Sequence, residues 1–320
     1  MVSISDFFRI PKIDSCKHLC MGMRYSDYIK WAGFHIPNYS DFGVKNAGSE
    51  NNLLLRKEVF DYTQNRIGIA RDLFLLYCHS VSESVCENVK SLNGTVNAAL
   101  VSKCKNPTEF VDIVKSVSEK YKEQIQFHPF LGVYTDSEAN IPLAIMLLES
   151  GLFEGIELFG KSLAENPEKF LGIFKAARRL NLKSRISCLG FRSLKGRDEI
   201  LELIANFQPT NLLNPNITYK NSQLESFKDG KIFQDAVKIA KDNNIHIDFS
   251  PAPIYSGTRS EEKAFVIREF AESGIPISLC TEDLLFLNRS ISEFAVDLCK
   301  LGVFCKEELV DIISDTPSTT

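Results

Sequence analysis

The sequence predicts an α/β fold, specifically a TIM-like (β/α)8 barrel. Three observations carry this reading. Short apolar strands alternate with longer helical segments, the alternation repeats through most of the chain, and no Pro/Gly/Ser-rich linker divides it. Such alternation marks βαβ units around a parallel sheet. Counting SCKHL as the first strand gives about eight repeats, the number that closes a barrel. An open doubly wound sheet is the competing architecture. No Gly-x-Gly-x-x-Gly or P-loop pattern follows the first strand, which weighs against it. The expected organisation is one domain over residues 1–310, with a helical insertion at about 20–90 and a disordered tail at 311–320.

Each element has its own signal. SCKHL (Ser15–Leu19) is the first strand, and Leu53–Cys78 has helical apolar spacing. Gly94 leads into a strand over Thr95–Lys103. Asn106 is an N-cap with Pro107 at the first helical position, opening a helix toward Gln124. Gln124–Thr135 reads as a strand with Pro129 as an irregularity. Ile141–Phe153 reads as a helix ended by Gly151, and EGIELFG as a short strand. Asn166 and Pro167 start the next helix, KSRISCLGF is a strand, and RDEILELIANF a helix. TNLLNPN, IHIDFSP and IPISLCTED are the last three strands. KIFQDAVKIAKDNN, SEEKAFVIREFAESG and SISEFAVDLCKLG are the helices that follow them in turn.

Composition excludes several function classes. The apolar share is 44% and the charged share 24%, with a net charge of −4 and no basic stripe. These values fit a globular protein and argue against nucleic-acid or polybasic membrane partners. No apolar run reaches the roughly 18 residues of a membrane helix, and MVSISDFFRI has no signal-peptide pattern. Nine cysteines without dense regular spacing read as reduced thiols, which places the protein in the cytoplasm.

In a barrel the chemistry lies at the C-terminal strand ends. Those positions are Cys16, His18 and Cys20; His128; Glu157 and Gly160; Cys188 and Phe191; Asn214; Ser250 and Pro251; Glu282 and Asp283. Residues two apart on a strand share a side, so Cys16 and His18 aim at one point. His128 reads as a core histidine on a strand that could face the mouth. His35 and His79 read as surface residues, and His246, at the start of its strand, as a stability residue.

Taken in order, these strand ends resemble the motifs of the adenosine deaminase family of the amidohydrolase superfamily, from about Ile10 to about Gly302. PKIDSCKHLCMG resembles the opening Pro-Lys-Val-Glu-Leu-His-x-His-Leu-Asp-Gly motif. GIELFG resembles Gly-x-Asp-Leu-x-Gly, and SCLGF falls at His-Ala-Gly-Glu. LLNP falls at Ile-Gly-His-Gly, IDFSPAPI resembles Leu-Glu-x-Cys-Pro-x-Ser-Asn, and ISLCTEDLLF resembles x-x-x-Thr-Asp-Asp-Pro. The resemblance implies a zinc site at Cys16, His18, Cys188 and Glu282, where the family has three His and an Asp. It places the family's catalytic Glu at Phe191, its water-orienting His at Asn214 and its ribose-contacting Asp at Cys20. Gly160 and Asp283 match the purine-contacting Gly and Asp.

Hydrolytic deamination needs a metal-activated water and a proton-transferring group. Phe191 supplies neither, and Asn214 cannot accept a proton at neutral pH. The expectation is a homologue that does not deaminate adenosine and binds a purine- or nucleoside-like ligand at the barrel mouth. His18, Cys20, Gly160, Asn214 and Asp283 would line that pocket. The alternative is an active hydrolase or lyase with a remodelled site, using Asp283 or Glu282 as acid/base and Cys188 as a nucleophile. No cofactor is expected. Zinc is the ion that Cys16, His18, Cys188 and Glu282 would suit, against a demetallated site or a Cys16–Cys188 disulfide. A small-molecule partner is expected, and a homo-oligomer or a pure scaffold role is left open.

Overall fold

The computed structural model describes residues 2–33, 49–135, 141–160, 166–188, 204–215, 231–255 and 260–314. Eight strands form one parallel sheet in chain order: β1 (Lys12–His18), β2 (Val89–Asn97), β3 (Gln126–Tyr134), β4 (Gly155–Phe159), β5 (Lys183–Ser187), β6 (Asn211–Leu213), β7 (His246–Phe249) and β8 (Ile277–Leu279). Beyond β8 the chain returns to β1. The Glu282 amide donates to the Cys16 carbonyl at 2.7 Å, and the His18 amide donates to the Glu282 carbonyl at 2.9 Å. The predicted (β/α)8 barrel is the observed architecture.

Helices cover the outside. α1 (Ile4–Phe8) precedes β1, and three helices fill the β1–β2 connection: α2 (Tyr25–Ala32), α3 (Ser49–Arg66) and α4 (Ala70–Cys86). The single helical run expected at Leu53–Cys78 is thus two helices, parted at residues 67–69 around Gly68. α5 (Pro107–Tyr121) starts as predicted, with the Asn106 side chain accepting from the Glu109 amide at 2.9 Å. α6 (Ile141–Leu148), α7 (Leu171–Arg179), α8 (Lys231–Asp242), α9 (Ser260–Glu272), α10 (Ile291–Lys300) and α11 (Lys306–Ile313) complete the shell. Part of the expected helix before β6 lies outside the described residues. α11 runs through the first residues of the segment expected to be a disordered tail, and Ser314 bridges back to Lys12. Among the described residues, no helix is long and apolar enough to cross a membrane.

The second strand lies earlier than predicted. β2 covers Val89–Asn97, and Ala98–Lys103 is a 3₁₀ segment. Asn97 ends the strand because its side chain accepts from the Ala99 amide at 2.9 Å. Asn93-Gly94 resembles a turn in sequence, yet Gly94 is within the strand. A Cβ there would lie 2.5 Å from Phe127, so only glycine lets that ring pack on the sheet.

Outer core and barrel interior are separate. One large apolar cluster fills the space between sheet and helices, while Cys16, Leu213 and Cys280 form a small cluster of their own. Much of the remaining interior is polar, with the Phe130 ring set against Arg185. Asp14, fully buried, accepts from the Thr281 amide at 3.0 Å and from the Thr281 hydroxyl, stapling β1 to the segment after β8. Burial pushes the Asp14 carboxyl up, partly offset by Lys17 and these donors.

This staple predicts that Thr281→Val lowers the unfolding free energy by about 1–3 kcal/mol, because Asp14 loses a donor it cannot replace with water. Thr281→Ser should retain most of that stability. Urea unfolding followed by circular dichroism measures both, and a Val variant as stable as wild type would contradict the staple.

Candidate functional site

β1 delivers the first two side chains. Cys16 and His18 do share one side, because both reach the same carboxylate. Cys16 Sγ lies 3.5 Å from Glu157 Oε2, and His18 Nε2 lies 3.0 Å from Glu157 Oε1. Lys17, between them, points out of the barrel to Ser84 Oγ on α4 at 2.9 Å. The second ring nitrogen of His18, Nδ1, is 2.7 Å from Asp283 Oδ1. Burial alone would lower the His18 pKa. The Glu157 and Asp283 carboxylates outweigh it and hold the imidazole well above its ordinary range. These surroundings, a carboxylate against each ring nitrogen, favour the protonated form of the His18 ring.

Glu157 on β4 is shared more widely still. Besides His18, it accepts from the Thr95 hydroxyl on β2 at 2.7 Å and from Arg185 Nη1 on β5 at 3.2 Å. Burial would raise its pKa; the His18 and Arg185 cations and the Thr95 hydroxyl reverse that and hold it well below the carboxylate range. Arg185 is fully buried and spreads its fork over three more strands. Nε donates to Asp248 Oδ2 on β7 at 3.1 Å, Nη2 donates to the Ser15 carbonyl on β1, and the guanidinium carbon sits 4.7 Å from the centre of the Phe130 ring on β3. Asn211 on β6 adds a 3.0 Å bond to Asp248 Oδ2.

Glu282 and Asp283 would face opposite ways on a regular strand. Here Glu282 takes a left-handed backbone with φ 53°, and both carboxylates come within 4.8 Å of a His18 ring nitrogen. Asn214, after β6, is left-handed too, with φ 50°. Its amide nitrogen donates to Glu282 Oε2 at 3.2 Å and to Ser250 Oγ at 2.8 Å, while its side-chain oxygen accepts from the Ser250 amide at 2.8 Å. Asn214, Ser250 and Glu282 therefore form one buried hydrogen-bonded unit beside His18.

The remaining expected residues are placed as follows. Cys188 is buried in the large outer cluster, its thiol against the Ile186 carbonyl at 3.8 Å, and burial pushes it up to about 12. It is not among the groups of ligand atoms described below. Cys16 and Cys188 are both free thiols. Cys20 is buried in the outer cluster with a raised pKa, again from burial. Gly160 follows β4 at the mouth, partly exposed, with φ 123°. Phe191 and His35 lie outside the described residues. His128 does not face the mouth: it sits near the start of β3 and pairs with Glu154 at 2.8 Å, at the opposite end of the barrel. β3 runs on to Tyr134, so the strand end lies six residues later than His128 suggests. His246 is likewise at the bottom, against Ser278.

Glu157 was visible in sequence as a strand end, though not as the hub. Arg185, Thr95 and Asp248 were not singled out. The available signal was charge inside apolar strands: GIELF and KSRIS each carry one charged residue at mid-strand. In a buried parallel strand such a residue needs a partner across the barrel.

Two overlapping sets of ligand-type atoms lie within 4.8 Å of one another: Cys16, His18 and Glu157, and His18, Glu282 and Asp283. Thiol, imidazole and carboxylate are zinc ligand types, so residue identity and spacing fit a metal. A metal would have to displace the protons of His18 and Cys16. Burial is the first reason the Cys16 thiol is held well above its usual value. Metal would also share Glu157 with the fixed Arg185 cation.

No family model matches this chain. It is 23% identical over 308 residues to a Treponema pallidum (strain Nichols) protein provisionally named an adenosine/adenine deaminase, covering 95% of this chain and 96% of that protein. Two solved structures carry the fold likeness. An amidohydrolase from Burkholderia ambifaria with bound Zn has a TM-score of 0.72 at 12% identity, over 97% of this chain and 86% of that one. An Arabidopsis protein, ADAL, complexed with IMP has a TM-score of 0.70 at 18% identity, over 92% and 88%. The chain is a homologue of the Treponema protein and has the fold of adenosine-deaminase-like amidohydrolases.

Arg185→Met leaves Glu157 and Asp248 buried without their guanidinium. It should lower the unfolding free energy by about 3–5 kcal/mol, as breaking a buried pair does. Arg185→Lys should not restore it, since an ammonium cannot fork across strands. Denaturant titration of the three proteins checks this; a Lys variant equal to wild type would contradict the forked role.

Proposed function

We propose that this chain is an adenosine-deaminase-like protein that binds a purine- or nucleoside-like small molecule at the C-terminal mouth of the barrel and does not carry out ordinary zinc-dependent adenosine deamination. One observation carries the reading: His18 has both ring nitrogens hydrogen-bonded to carboxylates, Nδ1 to Asp283 and Nε2 to Glu157. While both nitrogens donate to those carboxylates, the ring has no lone pair for a metal. His18 is also the one histidine at the four positions where the family resemblance puts zinc ligands.

In this reading the polar floor supports the ligand and the mouth admits it. Asp283, His18 and the Asn214–Ser250–Glu282 unit form the fixed polar floor beneath the pocket, with Cys20 nearby. Gly160, free of a side chain, lets a flat ligand approach the backbone. A structural neighbour complexed with IMP supports a purine-like ligand. Nine free thiols support a reducing, cytoplasmic setting.

A second reading is favoured by the spacing of Cys16, His18 and Glu157: a hydrolase with a remodelled site. Those three residues would hold zinc, with Glu282 beside His18; Cys188, in the outer cluster, would not take part. The ion would supply Lewis-acid activation of water there. Asp283 and Glu282 would then act as acid/base groups.

Metal analysis and ligand screening separate the two. Protein purified without added metal should carry far less than one zinc per chain. Adenine, adenosine or inosine monophosphate should raise the melting temperature through mass action, and Asp283→Ala should abolish the rise. Stoichiometric zinc lost on Cys16→Ala or Glu157→Gln would favour the hydrolase, and adenosine turnover would overturn the non-deaminating reading. No shift with any purine compound would overturn ligand binding.

A further inference from the structure

The described strand ends of the barrel are unequal in exposure. His18, Asn97, Ser187, Asn214, Ser250, Glu282 and Asp283 are all buried. β3 and β4 differ: their last residues, Tyr134 and Phe159, are partly exposed, as is Gly160 beside them. Tyr134 and Phe159 are register partners in the sheet, so the two rings stand side by side at the mouth. Their centroids are 5.8 Å apart at 44°. On its inner side the Phe159 ring meets the His18 ring at 5.3 Å and 34°.

The Phe159 ring is fixed in place rather than loosely parked. It lies over Gly132 of β3, where an added Cβ would come within 3.0 Å of Phe159 Cε1 and 2.7 Å of Thr95 Cγ2. Glycine at 132 thus makes the seat for the ring. The backbone beneath is tied as well, since the Thr135 amide donates to the Phe159 carbonyl at 2.8 Å. Among the described residues the buried Thr135 hydroxyl has no hydrogen-bond partner. A rigid aromatic surface costs little conformational entropy on binding. It abuts the His18 ring, which β1 holds between the Glu157 and Asp283 carboxylates.

We propose that Phe159 and Tyr134 form the stacking wall of the ligand pocket, receiving the flat face of a heteroaromatic base. The proposal rests on the ligand-binding reading above and adds what recognises the ring. Hydrogen-bonding groups under the mouth read edges; only an aromatic surface reads planarity. Stacking tolerates any flat ring, so the wall selects for a base without naming which one. His18, with both ring nitrogens held by Asp283 and Glu157, braces the inner face of the Phe159 ring and does not itself hydrogen-bond the base.

The test is calorimetric titration of the full chain with three probes: inosine monophosphate, ribose 5-phosphate as the same sugar phosphate without a ring, and cytidine monophosphate as a non-purine ring. Phe159→Leu keeps apolar volume but removes the ring. It should weaken inosine monophosphate about tenfold, within the range of base–aromatic stacking, and leave ribose 5-phosphate unchanged. Phe159→Trp should bind as well as wild type or better. Tyr134→Leu, at the second wall position, repeats the test should the Phe159 variants fold poorly. Equal affinity for inosine monophosphate in wild type and the Leu variants would overturn the wall while sparing purine binding. So would equal losses for the ringed and ringless probes. Binding of cytidine but not inosine monophosphate, weakened by Phe159→Leu, would keep the wall and overturn the purine reading. If no ringed probe binds wild type, both fall.

Discussion

The carboxylate of Glu157 is the point on which the barrel interior is organised, because four elements meet in two oxygen atoms. β1 reaches it through His18 and Cys16, β2 through Thr95 and β5 through Arg185. Arg185 extends the connection to β3, β7 and the β1 backbone. A buried carboxylate without partners would be protonated and weakly held. With two cations and a hydroxyl on it, Glu157 stays ionised, and in turn fixes the orientation of the His18 ring. The interior of this barrel is built on compensated charge, while the apolar packing that stabilises most folds lies in the outer cluster between sheet and helices.

That division explains the chemistry available at the mouth. A network with nearly every donor and acceptor used is rigid, and its members exchange partners only at a cost. His18 is committed to Asp283 and Glu157, and the Asn214–Ser250–Glu282 unit closes on itself. In the proposed ligand-binding reading what remains is the rim, where Tyr134, Phe159 and Gly160 are partly exposed; the floor would fix charge and direction, and the rim would provide contact area.

The fold was legible from the sequence because alternation of strand and helix is a repeated, long-range signal, and the (β/α)8 order needs only that rhythm. The errors came where one local cue outranked it. Gly94 reads as the residue that leads into a strand at Thr95, yet it lies inside β2, beneath the Phe127 ring. Leu53–Cys78 looks like one helix, yet Gly68 divides it. That Cys16 and His18 share a side was legible from the two-residue strand period, which survives the register shift of β1 between Asp14 and Lys17. Glu282 defeated the same rule, because a left-handed residue resets which way its neighbour points. Arg185 escaped notice for a different reason. Its role depends on Glu157 and Asp248, which are distant in sequence and meet it only after the barrel closes, and a single chain does not announce such pairings.

The left-handed backbone shared by Asn214 and Glu282 restricts how such a site can drift. For side chains other than glycine that conformation costs roughly 1–2 kcal/mol per residue, and Asn, Asp and His tolerate it best. The resemblance to adenosine deaminases puts His and Asp at these two positions, where this chain has Asn and Glu. Handedness therefore filters the residue types before chemistry does. Donor and acceptor character can change there within a narrow alphabet, and β-branched side chains are shut out.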